Sequence, residues 1–234
     1  MLKVEGLAAY YGDFQALENV SFELPDSGVT ALLGANAAGK TTTLRVISGV
    51  LPATAGTVTL DGEDITQASS EERVRRGIVQ VPEGRKLFGT LTVEENLLLG
   101  GFSRRKDGKS RERLDRIYSM LPKLAERRTQ LAGSLSGGEQ QMCAVGRGLM
   151  ADPSILMIDE MSLGLAPVIV TQMFGFVKEI AAEGVSVLLV EQHVQHALNA
   201  ADRATIIEKG VTTHSGTSEE IRNDPKVREA YLGA

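Results

Sequence analysis

Apolar and polar positions change period several times along this chain, and each change predicts an element. Leu2 and Val4, and then Val20, Phe22 and Leu24, alternate with polar residues, as the half-buried strands of an antiparallel sheet do. Pro25-Asp26-Ser27-Gly28 reads as a turn. The run VTALLG, 29–34, is apolar apart from Thr30, which is the composition of a strand buried on both faces. TTTLRVISG, 41–49, follows with helical spacing and with Gly49 as its C-terminal cap. GTVTLDGEDI, 56–65, returns to alternation around an Asp61-Gly62 hairpin turn.

From Thr92 to Met150 the pattern is helical and strongly charged, above all in SRRKDGKSRERLDR, 103–116. That charge reads as a solvated helix face and loop, with contact to a partner or to lipid headgroups as the alternative. Two more apolar runs, SILMID and VSVLLVEQ, flank the helical segment PVIVTQMFGFVKEIAAEG. Pro167 suits the first turn of that helix and Gly184 its end, so the three pieces predict a parallel βαβ unit. The tail SEEIRNDPKVREAYLG, 218–233, predicts one or two short surface helices.

Composition narrows the class. The 234 residues suffice for one large domain or two small ones. The net charge of −5 argues against a broad basic surface, so no nucleic-acid partner is expected. Cys143 stands alone, which excludes an intrachain disulfide, disfavours a cysteine metal site and suits a reducing compartment. No apolar run is long enough to span a bilayer, and the N-terminus lacks a signal peptide's apolar region. Work at a membrane would therefore go through a partner.

Three motifs carry chemistry. GANAAGKT, Gly34 to Thr41, fits the phosphate-loop pattern G-x-x-x-x-G-K-[ST] in the required strand–loop–helix setting. Gly34, Ala35, Asn36, Ala37, Ala38, Gly39, Lys40, Thr41 and Thr42 would cradle a triphosphate, because backbone N–H groups and a helix N-terminus converge there. Lys40 can reach the β- and γ-phosphates, and the Thr41 hydroxyl can ligate Mg²⁺. SILMIDE ends in Asp159-Glu160 at the ligand-binding edge of a parallel sheet. Asp159 would hold Mg²⁺ and Glu160 would act as general base on water; an acid that merely caps the next helix is the alternative. In LSGGEQQ, 135–141, Ser136 and Glu139 form a capping box. Capping does not account for Gly137 and Gly138, which cost roughly 1 kcal/mol each against alanine. A second phosphate approaching this helix would.

With the phosphate loop before it and ILMIDE after it, LSGGEQQ resembles the signature of ABC ATPases, and the resemblance covers essentially the whole chain. It implies an α/β P-loop NTPase cassette with a mostly parallel core sheet, an N-terminal antiparallel β subdomain and a helical subdomain. The single domain 1–234 would divide into a nucleotide-binding core, 1–91 and 151–234, and a helical signature subdomain, 92–150. The resemblance places Leu135, Ser136, Gly137, Gly138, Glu139 and Gln140 on ATP held by a second subunit, with Ser136 and the two glycines at its γ-phosphate. It makes Tyr11 the residue that stacks on adenine, a core aromatic being the alternative.

The chain departs from the family pattern in places. Ala37 stands where glycine is usual, Ala166 where an aspartate often is, and Met161 where a proline is. Glu83 occupies the Q-loop position, next to Mg²⁺ or its water, with Gln80 three residues earlier. Gln192 falls at the switch-histidine position, with His193 one residue later as the alternative. VPEGRKLFGTLTVEENLLLGG, EQQMCAVGRGLM and DEMSLGLAP are similar to the smaller, F-type ATPase subunit of branched-chain amino-acid importers. That likeness implies ATP with Mg²⁺, a second ATPase subunit (sibling or self), permease subunits and, indirectly, a periplasmic amino-acid-binding protein. The chain would sit at the cytoplasmic face of the inner membrane, held peripherally through the permeases. A urea- or amide-type importer ATPase is the alternative. A soluble non-transport ABC ATPase fits worse, because such proteins usually carry tandem cassettes, long coiled coils or basic extensions.

Overall fold

The computed structural model describes residues 1–232. The alternating N-terminal segments form β1 (Leu2–Tyr11) and β2 (Phe14–Leu24), an antiparallel pair. β3 (Gly28–Leu33) leads through the glycine loop into α1 (Lys40–Ile47). β4 (Ala55–Leu60) and β5 (Glu63–Asp64) make the predicted hairpin. Asp61 and Gly62 both take positive φ, 51° and 82°, as a type I′ turn requires. α2 (Ser70–Arg75) and β6 (Ile78–Val81) follow. Then come α3 (Val93–Gly100), α4 (Ser110–Met120), α5 (Pro122–Glu126) and α6 (Gly137–Leu149). The predicted βαβ unit is β7 (Ile155–Asp159), α7 (Pro167–Ala182) and β8 (Ser186–Glu191), its strands parallel neighbours. α8 (Val194–Ala200), β9 (Arg203–Glu208), β10 (Val211–Thr217), α9 (Ser218–Asn223) and α10 (Pro225–Val227) complete the regular elements.

Four helices begin with a full capping box, at Ser69/Glu72, Thr92/Glu95, Ser136/Glu139 and Thr217/Glu220. Each cap contributes about 1 kcal/mol and fixes where its helix starts. The tail forms the predicted short helices, but they are anchored rather than merely superficial. Ile221 and Val227 are buried in the core. Gly233, the last residue of the predicted tail, lies outside the described residues.

The ten strands among the described residues join one sheet in the order β5-β4-β1-β2-β10-β9-β3-β8-β7-β6. β5-β4-β1-β2 pair antiparallel, whereas β9-β3-β8-β7-β6 pair parallel. β10 closes a hairpin on β9 and touches β2 through the single pair Val211↔Asn19. The parallel strands are apolar on both faces, and their alternate residues feed two cores. Ala31, Leu33, Leu156, Ile158, Val187 and Leu189 pack with the α6 and α7 side. Leu32, Met157, Leu188 and Val190 pack with Leu2, Val20, Phe22, Leu44 and Ile47. The central strands are thereby covered on both sides, and removing Met157 or Leu188 to alanine would cost about 2–5 kcal/mol. Register then aligns the C-terminal ends of the parallel strands: Leu33 lies opposite Glu191, and Asp159 opposite Val190. Three loops therefore open at one edge, where α/β sheets bind ligands.

Candidate nucleotide-binding site

At that edge lies a cleft of about 590 Å³. Of the predicted loop residues, Asn36, Ala37, Gly39, Lys40, Thr41 and Thr42 line it. Gly34, Ala35 and Ala38 shape it from behind. A Cβ on Gly34 would sit 2.2 Å from the Ile207 carbonyl oxygen, so no larger residue fits. The Ala38 side chain is buried, and its N–H is bonded to Ala35 O at 3.2 Å. Ala37 takes φ +62°, at a cost of about 1–2 kcal/mol for a residue with a Cβ. Glycine would meet that demand without strain. Lys40 is 4% exposed. Its Nζ donates to Gly34 O at 3.0 Å and Ala35 O at 3.1 Å, and lies 3.5 Å from Glu160 Oε1. The ammonium is held at the mouth of the loop.

Across the cleft, Thr41 Oγ1 donates to Asp159 Oδ1 at 3.4 Å. Cis ligands of an octahedral ion at 2.0–2.1 Å stand about 3 Å apart, so this pair fits Mg²⁺. Among the described residues no cluster of three or more metal-binding side chains occurs. Burial pushes the Asp159 carboxyl up to about 6; Glu160 and Glu83 add to the rise, while the Thr41 hydrogen bond and Lys40 oppose it. The folded chain therefore holds a proton, between the ordinary 3.8 and about 6, that the unfolded chain releases. This group's contribution to stability falls as pH rises through that window. Asp159→Asn is expected to raise the melting temperature of the nucleotide-free protein by roughly 2–4 °C above pH ~6. The gain should vanish under acid conditions where both states are protonated, as a calorimetric pH series would show.

Glu160 follows with φ +48°, a strained geometry for a residue with a Cβ. Its N–H donates to Val190 O at 2.9 Å, and Gln192 Nε2 donates to its Oε2 at 2.6 Å. Lys40, Glu160 and Gln192 thus form a continuous chain of contacts along the cleft. His193 points away: it is exposed and meets His196 edge-on at 6.2 Å. Glu83 lines the cleft from its exposed rim. The next three residues, Gly84, Arg85 and Lys86, all have positive φ. Arg147 of α6 grips this segment, donating to Lys86 O at 2.8 Å and Arg85 O at 3.1 Å, and Arg85 Nη1 donates to Gln140 Oε1 at 3.1 Å. Sequence reasoning missed both arginines, because only the fold brings positions 85 and 147 together.

Ser136 caps α6, accepting from Glu139 N, and Glu139 Oε2 accepts from Ser136 N at 2.9 Å. None of Leu135, Ser136, Gly137, Gly138, Glu139 and Gln140 lines the cleft. Gly137 and Gly138 do not both need a ligand, contrary to the expectation from sequence. A Cβ on Gly138 would come 2.7 Å from Ile169 Cγ2, so packing within the chain already favours glycine there. At Gly137 the nearest atom would be the Arg85 guanidinium at 3.4 Å, ordinary contact, and only that glycine is left without an internal reason. Tyr11 is no core aromatic: it is 40% exposed, lines the cleft, and its hydroxyl accepts from Arg45 Nη1 at 3.0 Å. Phe14, 69% exposed, lines the same wall. Sequence analysis passed over it, although a large aromatic beside a Gly-Asp turn is itself a signal.

A phosphate loop, a carboxylate pair and a second, outward-facing capped loop on one α/β scaffold define a nucleotide-hydrolysing P-loop protein. The family described as ABC transporter matches residues 17–162, and that described as branched-chain amino acid ATP-binding cassette transporter matches 215–234. The chain belongs to the ABC transporter family, as one of its ATP-hydrolysing cassettes. It is 45% identical, over 100% of both chains, to the high-affinity branched-chain amino acid transport ATP-binding protein BraG of Pseudomonas aeruginosa. It is 32% identical to the lipopolysaccharide export system ATP-binding protein LptB of Escherichia coli K12, over 99% of this chain and 97% of that one. Among solved structures, the ADP conformation of an ABC transporter cassette superposes with a TM-score of 0.87 at 31% identity, covering 100% of this chain and 99% of that one.

Proposed function

We propose that this cassette powers an importer for branched-chain or other hydrophobic amino acids. The full-length 45% identity to BraG carries that reading, and the match of the C-terminal segment to the branched-chain family supports it. In the proposed cycle Lys40 leaves its loop carbonyls for the β- and γ-phosphates, and Tyr11 and Phe14 flank adenine. Thr41 and Asp159 would hold Mg²⁺, with Glu83 near its water shell; the ion would supply charge neutralisation between β- and γ-phosphates. Glu160 takes the proton of the attacking water as general base, and Gln192 orients that carboxylate.

Residues 92–150 act as the lobe that presents Leu135–Gln140 to ATP on a second cassette, sibling or self. Because Arg147 and Arg85 tie that lobe to the segment after Glu83, γ-phosphate loss on one side is felt by the other. A groove of about 380 Å³, lined by Val79, Val81, Phe88, Leu99, Ala144 and Arg147, is where a permease segment docks. No helix among the described residues is long and apolar enough to cross a membrane. In this reading the cassette is held by the permeases at the cytoplasmic face, as the likeness to BraG supports.

The test is a tagged pull-down from detergent-solubilised native membranes. Co-purification of two permeases and a second cassette supports the importer, whose binding protein can then be screened for cargo. Recovery of only soluble chains overturns the transport reading. Within the site, Gln192→Ala should slow steady-state hydrolysis roughly tenfold, the worth of about one hydrogen bond to a charged group. His193→Ala should leave turnover near the parent's. Equal rates for the parent and the Gln192 variant would remove Gln192 from the mechanism.

A further inference from the structure

The charged stretch between α3 and α4 takes no part in the nucleotide site. Between Phe102 and Arg111 five cations meet one acid, in a chain whose total charge is −5. Arg113 and Arg116 are paired with Asp107, Asp152 and Glu183, and Arg111 with Asp115. Arg104, Arg105, Lys106 and Lys109 have no acidic partner within 4.0 Å among the described residues, and the last three are exposed.

Beside these cations the chain exposes apolar side chains that a solvated loop would not need. Leu98 is 41% exposed, Leu99 43% and Phe102 62%. With Leu91 they line a shallow depression of about 350 Å³ bounded by Arg105. The Arg105 guanidinium lies 3.9 Å from the centroid of the Phe102 ring, so cation and aromatic share one ledge. Leu99 also lines the groove assigned above to the permease. Ledge and groove are therefore continuous on one side of the molecule.

We infer that this ledge docks on the anionic headgroup surface of the bilayer, with Phe102 and Leu98 entering the interface and Arg105, Lys106 and Lys109 meeting phosphates. Aromatic and leucine side chains next to unpaired cations are the composition of an interfacial contact. Clustered Lys and Arg bind anionic leaflets through diffuse charge, with no fixed partner geometry. A nucleic acid fits poorly, because the patch is short and the rest of the chain is acidic. That the ledge faces the membrane rests on the groove being the permease side, and the contact would orient the cassette before and during assembly.

The purified full-length chain is sedimented with phosphatidylcholine vesicles, with and without phosphatidylglycerol. Binding is expected only to the anionic vesicles and is lost at high salt, as screening demands. R105Q/K106Q/K109Q should lower the partition coefficient roughly a hundredfold, at about fivefold per cation. Phe102→Ser should lower it about tenfold and leave the salt dependence in place. ATP turnover should be unchanged in both variants, which shows that they are folded. Absent binding, equal binding to neutral vesicles, or binding indifferent to the triple substitution would overturn the inference. So would intact vesicle binding combined with lost permease co-purification, which would make the ledge a protein contact. The vesicle assay contains no permease, so its failure leaves the importer reading standing, and failure of the pull-down leaves the vesicle result standing.

Discussion

Replacing Glu160 by glutamine should reduce ATP turnover by roughly 10²- to 10⁴-fold, the range that a positioned general base supplies. Glutamine keeps the shape and the contact with Gln192 but has no basic oxygen to accept water's proton. The substitution also removes a carboxylate that raises the neighbouring Asp159. Asp159 should then ionise more readily and hold the metal at least as well as before. Nucleotide binding should survive while hydrolysis stops, and an ATP-bound dimer should accumulate. Single-turnover assays with labelled ATP and gel filtration in ATP would read both effects. A variant that hydrolyses at the parent rate would remove Glu160 from the role of base.

Lys40→Ala should act one step earlier, by abolishing useful affinity for ATP. Truncating one member of a buried, hydrogen-bonded charge set costs about 2–5 kcal/mol, or roughly thirtyfold to several thousandfold in dissociation constant. Here the loss is compounded electrostatically. Without the ammonium, Glu160 and Glu83 line the cleft, with Asp159 buried behind them, and Lys40 no longer offsets their charge. Titration calorimetry with ATP and Mg²⁺ would measure the change, and an affinity within about threefold of the parent's would contradict the assignment.

Much of this site is legible in the sequence because its parts are local. The phosphate loop, the Asp159-Glu160 pair and the Ser136 capping box are each set by a few consecutive residues. Gln192 is placed by counting back from Ala201-Asp202-Arg203 to the family's switch-histidine position, and by strand alternation, which sends neighbouring side chains to opposite faces. What sequence reading missed depends on long-range closure. Arg147 is 61 and 62 residues downstream of the two backbone carbonyls it holds. Phe14 becomes a cleft wall only when the β1–β2 hairpin folds over the loop. Gly138 looked like a ligand's requirement until Ile169, thirty-one positions later, was found against it. The β9–β10 hairpin was also passed over, since ATIIEKGVTTHSG shows only half a period of clean alternation. Its turn depends on Lys209 and Gly210 both adopting positive φ.

The antiparallel and parallel parts of the sheet meet where β2 lies against β10, through the pair Val211↔Asn19, through hydrogen bonds from Glu18 and Asn19 N–H to Gly210 O, and through one shared apolar core. Tyr11 and Phe14 ride on the antiparallel part, whereas Asp159, Glu160 and Gln192 stand at the strand ends of the parallel one. Under the proposed function, the antiparallel part of the sheet would read the base and the parallel part would break the phosphoanhydride bond. The two tasks can drift apart in evolution: a cassette can loosen its choice of base without disturbing the geometry that breaks the phosphoanhydride bond.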